Sequence, residues 1–373
     1  MAQDAVVRAI GVLLGLGLTC AYVPQAFADE EVGRWAVGCV LLAVLLWFRK
    51  PTPVSWIGVA FLAWAALSLA WAPFPLDGAW EMLHWLFLTG AFVVGANGMA
   101  APIFEGAAYG MAVNSAIAIA QVFGLTFFEQ ASAPAGLFGN RDIMAEAALV
   151  TLVPLLARRR WALAVAQLPA LVLPQSRAVL AVGAILALVW GWGRSRLAAG
   201  AACAALIAAA IVVTAFKHLH SDEVRLDLWR DTWSGVTWLG AGVGQFYATF
   251  PQHAHFFTVL MRPEHAHSDW LEVLYELGPV GLALAGVFAV EIGGGNVVDG
   301  WRFAWLAFCG LGAVSFSLHN PTTAVLGFLA GGGVYGSGAV VRRGVVDPAD
   351  DVPRRPPGRR FFGSPRGGPA VAA

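Results

Sequence analysis

Apolar runs close to 20 residues long alternate along the whole chain with short breaks that are charged or rich in Pro and Gly. That length is what an α-helix needs to cross about 30 Å of hydrocarbon. The breaks divide the chain into about twelve predicted spans: 5–27, 34–48, 54–71, 81–97, 106–125, 142–157, 161–175, 178–193, 197–216, 271–291, 302–318 and 323–341. Alternate breaks hold the basic residues, at Arg49-Lys50, Arg158-Arg159-Arg160, Arg194/Arg196 and Arg342-Arg343. Cytoplasmic segments carry the excess of Lys and Arg, so the N-terminus and these four breaks are predicted to lie inside. The long polar segment 217–270, between the ninth and tenth spans, then lies outside.

Composition strengthens this reading. Hydrophobic residues make up 58% of the 373 and charged residues 12%, against about 25% charged in an ordinary soluble domain. The formal net charge is zero, so charge offers no argument for a nucleic-acid partner. Four cysteines stand singly within apolar runs, without metal-like spacing or a disulfide framework. All eight histidines fall on the predicted outer side: His84, His218, His220, His253, His255, His265, His267 and His319. Ala26-Phe27-Ala28 before Asp29 is patterned like a signal-peptide cleavage site, and cleavage there leaves every later span in the same orientation. Residues 1–341 read as one transmembrane helical domain and 342–373, rich in Arg, Pro and Gly, as a disordered cytoplasmic tail. Outside the membrane ATP and nucleotide sugars are scarce, so a synthetic reaction there needs a donor that arrives activated on a lipid.

The polar chemistry gathers in 217–278. RPEHAHSDWLEVLYELG, residues 262–278, holds an arginine, two histidines and four carboxylates in 17 positions. His267 should sit at the mouth of the bundle, with Asp269 close enough to orient it and Glu272 about one turn further on. VRLDLWRDTW has helical character and places Arg225 one turn before Trp229, within reach of a cation–π contact; it reads equally as an amphipathic surface helix with solvated arginines. In LGAGVGQF, Gly242 and Gly244 belong to a loop whose N–H groups can approach phosphate oxygens, or to a plain tight turn. Two His-Ala-His triplets invite a metal reading with Glu264 or Asp269 as further ligands, or exposed surface histidines. Arg177 opens a span at the outer boundary, where an unpaired charge costs several kcal/mol. Its planar fork suits a diphosphate, or it reads as a snorkelling interfacial arginine; Arg141 at another outer boundary has a similar but weaker character.

Four segments in order resemble the O-antigen ligase/polymerase superfamily of bacterial envelope enzymes: GLFGNRDIMAEAAL, SRAVLAV, VRLDLWRDTW with LGAGVGQF, and HSDWLEVLYELGPVGL, together covering about 136–284. The resemblance implies an all-α polytopic membrane fold of the GT-C-like, lipid-dependent glycosyltransferase kind, with one large periplasmic loop at 217–270. It implies metal-independent, inverting transfer of a glycan from undecaprenyl diphosphate to an acceptor hydroxyl, lipid A-core for a ligase, with no cofactor. Arg177 and Arg225, with Arg141, Gly242 and Gly244, would hold the donor, and His267 would be the catalytic histidine oriented by Asp269. His265, Arg230 and Glu272 are secondary candidates. Ser268 stands where the family often has Asn. The implied location is the bacterial inner membrane, multi-pass, with the active site in the periplasm. Within the family, a repeat-unit polymerase is the alternative. From another class, a transporter or flippase would show intramembrane charges and an internal repeat, and a metal-dependent hydrolase would lose activity on chelation.

Overall fold

A computed structural model of the chain describes residues 2–21, 32–47, 55–125, 133–192, 220–255, 262–294 and 300–343, with residues 200, 204 and 208. Among the described residues every regular element is helical: α1 (Ala2–Cys20), α2 (Val32–Trp47), α3 (Trp56–Ser68), α4 (Pro75–Val94), α5 (Ala100–Val122), α6 (Arg141–Ala157), α7 (Trp161–Val172), α8 (Arg177–Trp192), α9 (His220–Ser234), α10 (Asp269–Gly293), α11 (Gly300–Gly312) and α12 (Pro321–Arg343), with short turns over Phe246–Gln252. All but residues 200, 204 and 208 of the predicted span 197–216, the cleavage-like Ala26–Ala28 and the tail beyond Arg343 lie outside the described residues. The chain divides at Gly338/Ala339 into two units, and the helix packing and the polar cluster both belong to the first, Met1–Gly338.

Eleven of the predicted spans fall on helices. Two helical stretches, Pro75–Val122 and Asp269–Gly293, are long and apolar enough to cross a membrane, and α2, α3, α7 and most of α8 are shorter apolar helices. Large apolar side chains face outward from these helices, among them Trp47, Trp56, Leu76, Trp80 and Val290, a surface that water would disfavour and lipid would not. Backbones approach closely through small residues. A Cβ on Gly15 would meet Ile103 O at 1.8 Å, and one on Gly332 would meet Phe92 O at 1.9 Å. Such close packing is how helices associate where no hydrophobic force separates them from lipid.

Two breaks shape the molecule. The stretch 75–122 is interrupted by a π-type turn over Gly95–Met99, with Gly98 at φ +84°. Helix α10 is interrupted at Gly278, whose φ +66° and ψ −175° no helix allows. Pro279 follows and has no N–H, so the carbonyl of Tyr275 loses its intrahelical donor. The Ala241 N–H supplies that bond at 2.9 Å, Gly242 N–H serves the Glu276 carbonyl at 2.8 Å, and the Trp64 indole serves Leu277 O at 2.9 Å. The glycine loop is thereby built into the helix break.

The predicted starts at 81 and 106 are six residues late, since α4 begins at Pro75 and α5 at Ala100, and one predicted end is six residues late. Helix α11 stops at Gly312 rather than 318. The following 313–320 is a turn whose polar groups bind neighbouring elements, although its sequence, AVSFSLHN, is largely apolar.

Candidate active site

The seven residues 262–268 lead into α10, and Ser268 caps it by accepting the Leu271 N–H at 3.4 Å. Serine and asparagine are near-equivalent N-caps, which accounts physically for serine at this place. Asp269 and Glu272 fall in the first turn, where a helix dipole favours carboxylates. The 262–268 segment is held from outside by Trp229 of α9, whose indole N–H donates to Ala266 O at 3.0 Å. The expected cation–π contact is not made: Trp229 is used in fixing this loop.

Glu272 is buried, and both its oxygens accept hydrogen bonds. Oε1 takes His265 Nδ1–H at 3.0 Å and His319 Nε2–H at 3.2 Å, and Oε2 takes the Ala266 N–H at 2.8 Å. The two imidazoles lie face to face, centroids 3.8 Å apart and planes 20° apart. Beyond His319 stands His84, at 5.6 Å between centroids, with its Nδ1 3.2 Å from Glu81 Oε1. Burial pulls His265 down, but the Glu272 carboxylate outweighs it and leaves the ring above its ordinary value. His319 is held below its ordinary value by burial and by the charge of His265.

His267 is different. Its backbone has φ +51°, its ring meets the Phe316 edge at 4.9 Å between centroids, and its Nδ1 is buried with no hydrogen-bond partner. Burial, then the positive charges of Arg225 and His265, lower it to about 4. The expected support from Asp269 is absent. That carboxylate turns to the 313–320 turn, where Oδ2 accepts the Leu318 N–H at 3.0 Å, while Oδ1 is buried without a partner. The neighbour Asp269 orients is the turn, whose Leu318 N–H it accepts.

Arg225 of α9 is half-buried, and its charge reaches both His267 and Glu146 of α6. Glu146 accepts from Ser315 Oγ at 2.5 Å and Ser317 Oγ at 2.9 Å, so α6 and the 313–320 turn are tied together under His267. Arg141 begins α6 and Arg177 begins α8. α6 packs against both α7 and α8, and the short connections after α6 and α7 reverse the chain twice, which puts both arginines at the same end of the bundle as Glu146. Arg230 is elsewhere: it faces solvent and pairs with Asp227 at 3.1 Å.

The glycine loop is also corrected. Gly242 N–H donates to the Glu276 carbonyl, Gly244 N–H to Glu276 Oε2 at 2.8 Å and Phe246 N–H to Oε1 at 2.8 Å. These donors are saturated by a buried carboxylate and by a broken helix, leaving Gly242 and Gly244 nothing to offer a phosphate. Their positive φ values, +105° and +68°, serve that packing.

Residues 162–286 match a family model described as O-Antigen ligase. The matched stretch, about a third of the chain, resembles an O-antigen ligase domain. Proteins of that family are membrane-associated, and the match supports the O-antigen ligase/polymerase superfamily and a glycosyl-transfer role of the ligase or polymerase type in a lipid-linked glycan context. No curated protein matches the chain.

The matched region spans Arg177, Arg225, His265, His267, Asp269 and Glu272, whereas Glu81, His84, Glu146 and His319 lie outside it and join the site only by folding. Sequence reading did not select these four; the signal available was that His84 and His319 share the predicted outer side with the loop. Two groups of His and carboxylate donor atoms converge within 4.8 Å among the described residues, Glu81–His84–His319 and His265–Glu272–His319. Neither unites the two His-Ala-His triplets: His255 pairs with Asp231 and His253 packs on Tyr275. An imidazole binds a metal along its own plane, at about 2.0–2.1 Å. An ion shared by two rings stacked 3.8 Å apart would lie far out of both planes. The stacked pair suits shared protons on Glu272 better than a shared cation.

Proposed function

We propose that the chain transfers a glycan from undecaprenyl diphosphate to an acceptor hydroxyl at the outer face of the bacterial inner membrane, as an O-antigen ligase with lipid A-core as acceptor. The observation that carries this reading is the ligase-domain match over the residues that bring Arg225 to His267. The hydroxyl oxygen attacks the anomeric carbon, the bond to the lipid diphosphate breaks, and configuration inverts. Negative charge grows on the leaving phosphate oxygens, where fixed guanidinium groups stabilise it best. Arg225 and Arg177 take that role, with Arg141 at the rim. His267, held neutral beside Arg225, accepts or directs the proton of the incoming hydroxyl. None of these steps uses a metal or cofactor. The same reading has twelve spans in a GT-C-like arrangement.

The test is the size distribution of undecaprenyl-diphosphate-linked glycan in cells lacking this protein. Long chains should accumulate on the lipid. Accumulation of single repeat units would instead assign a polymerase, and no accumulation of either would return the chain to the transporter reading.

A further inference from the structure

We infer that the end of the bundle opposite His267 carries a second binding site, which holds the phosphodiester of an anionic phospholipid. The site is a cavity of about 410 Å³ between α1, α5, α6, α7 and α11, bordered also by the Gly95–Met99 turn. Three arginines line it, Arg8, Arg158 and Arg160, against two carboxylates, Asp4 and Glu105, which leaves one positive charge in excess. Arg8 is bonded to Glu105 at 3.1 Å, so the excess is carried by the other two arginines. The chain reversal between α6 and α7 presents both. Arg159 N–H donates to the Leu156 carbonyl at 3.2 Å and Arg160 N–H to the Leu155 carbonyl at 2.9 Å, a helix ending that commonly takes glycine at its left-handed position. Here that position is Arg159, at φ +57°. The strain of a non-glycine residue in that conformation concentrates at functional sites, and it turns the chain so that Arg158 and Arg160 line one cavity while Arg159 does not.

Both arginines are suited to an anion. Arg158 lies over the Trp301 ring, with Cζ 4.3 Å from the centroid, and the buried indole is backed edge-on by Phe104 at 4.9 Å. The stack holds the guanidinium in place before a ligand arrives, which lowers the ordering cost of binding. Arg160 is exposed, and its side chain makes no hydrogen bond or ion pair among the described residues. A Cβ on Gly98, at φ +84°, would meet nothing within 4 Å, so the π-type turn faces open space, and such turns recur at functional sites. A guanidinium fork matches phosphate oxygens. One excess positive charge fits a phosphodiester, with its single negative charge, better than a phosphomonoester at about −1.5 to −2. The apolar part of the ligand also has a place. Trp161, Val165, Leu168 and Val172 follow Arg160, exposed and three or four residues apart along one face of α7. An acyl chain on that stripe has its headgroup at Arg160. Basic pockets between membrane helices on the cytoplasmic side recognise such headgroups, and the basic breaks predict that side for this end. The site does not depend on the transfer chemistry.

The test uses the full chain, delipidated in a neutral detergent, with dioctanoyl phosphatidylglycerol, dioctanoyl phosphatidylcholine or inorganic phosphate added. Thermal unfolding and native mass spectra are recorded. Phosphatidylglycerol should raise the melting temperature by several degrees and remain as a one-to-one adduct. Phosphatidylcholine, with the same chains and no net charge, and phosphate at the same concentration should do neither. Arg160→Gln changes an exposed side chain and should weaken phosphatidylglycerol binding about tenfold, the loss of one charge-assisted hydrogen bond. Arg158→Lys keeps the charge but loses the fork and should weaken it too. Arg230→Gln, an equal charge loss on α9, should bind as wild type. Equal stabilisation by phosphatidylcholine would mean that the chains alone bind, and equal stabilisation by phosphate that the cavity takes a free anion. Either result would overturn the assignment, as would an Arg160→Gln protein that binds phosphatidylglycerol as tightly as wild type.

Discussion

At His267 a left-handed backbone, a buried ring nitrogen and the nearby Arg225 combine to keep an imidazole neutral. Neutrality has a consequence for stability. Between the ordinary histidine value of about 6.5 and the folded value of about 4, the unfolded chain binds a proton that the folded chain refuses. The stability linked to His267 is therefore complete above about pH 6.5, falls as pH drops toward 4, and amounts to roughly 3 kcal/mol. His265 acts in the opposite sense. Its raised value stabilises the fold below its unfolded value and is lost as pH rises through its folded one. His267→Gln should flatten the acid-side loss of melting temperature between pH 6.5 and 4, measured by thermal unfolding in detergent. An unaltered slope would mean the ring is not held neutral. The residue types in 262–278 were legible from the sequence as a site. Which histidine has a carboxylate was not, because His265 and His267 are separated by how 262–268 bends, and that bend depends on Trp229 and the 313–320 turn.

The element that organises the site is the broken helix α10. Its first half carries Glu272 and Glu276, and its break at Gly278 receives the glycine loop. A Cβ at Gly278 would lie 2.3 Å from Trp238 O, and one at Gly240 would lie 2.1 Å from Glu276 O. Gly278→Ala must therefore displace the loop as well as strain a φ of +66°, a conformation that costs a non-glycine residue about 1–3 kcal/mol by itself. The expected result is a melting temperature several degrees below wild type and a loop newly open to protease; a melting temperature equal to wild type would remove the break from the architecture. The glycine pattern was legible as a turn, and its spacing also fits a phosphate loop. What separates the two uses is Glu276, about 30 positions away, whose carboxylate occupies the N–H groups of Gly244 and Phe246. The early end of α11 has the same origin. Local hydropathy carries a helix through to 318, but Ser315, Ser317 and Leu318 are held by Glu146 and Asp269 instead.

Over the whole molecule the active-site end and the basic end are opposite. Arg158 follows α6 at the far end from Arg141 and stacks over Trp301 at the start of α11, 4.3 Å from its ring centroid. The positive-inside pattern predicts that this end is cytoplasmic. With the four native cysteines replaced, Trp238→Cys, an exposed position of the outer loop, should react with a membrane-impermeant maleimide in intact spheroplasts. Arg159→Cys should react only after lysis. The reverse labelling would invert the topology. Hydropathy, basic breaks and Gly/Pro punctuation are local properties, and by themselves they determined the all-helical class and the placement of the described helices, and they predict an outward location for the chemistry. The partnerships that make a site were decided by tertiary structure alone. His319 reaches Glu272 from 47 positions downstream, Glu81 and His84 come from α4, and Glu146 meets a turn about 170 positions away. Hydrogen bonds and charges act over a few ångströms regardless of separation along the chain, so only the packed helices show which carboxylate serves which histidine.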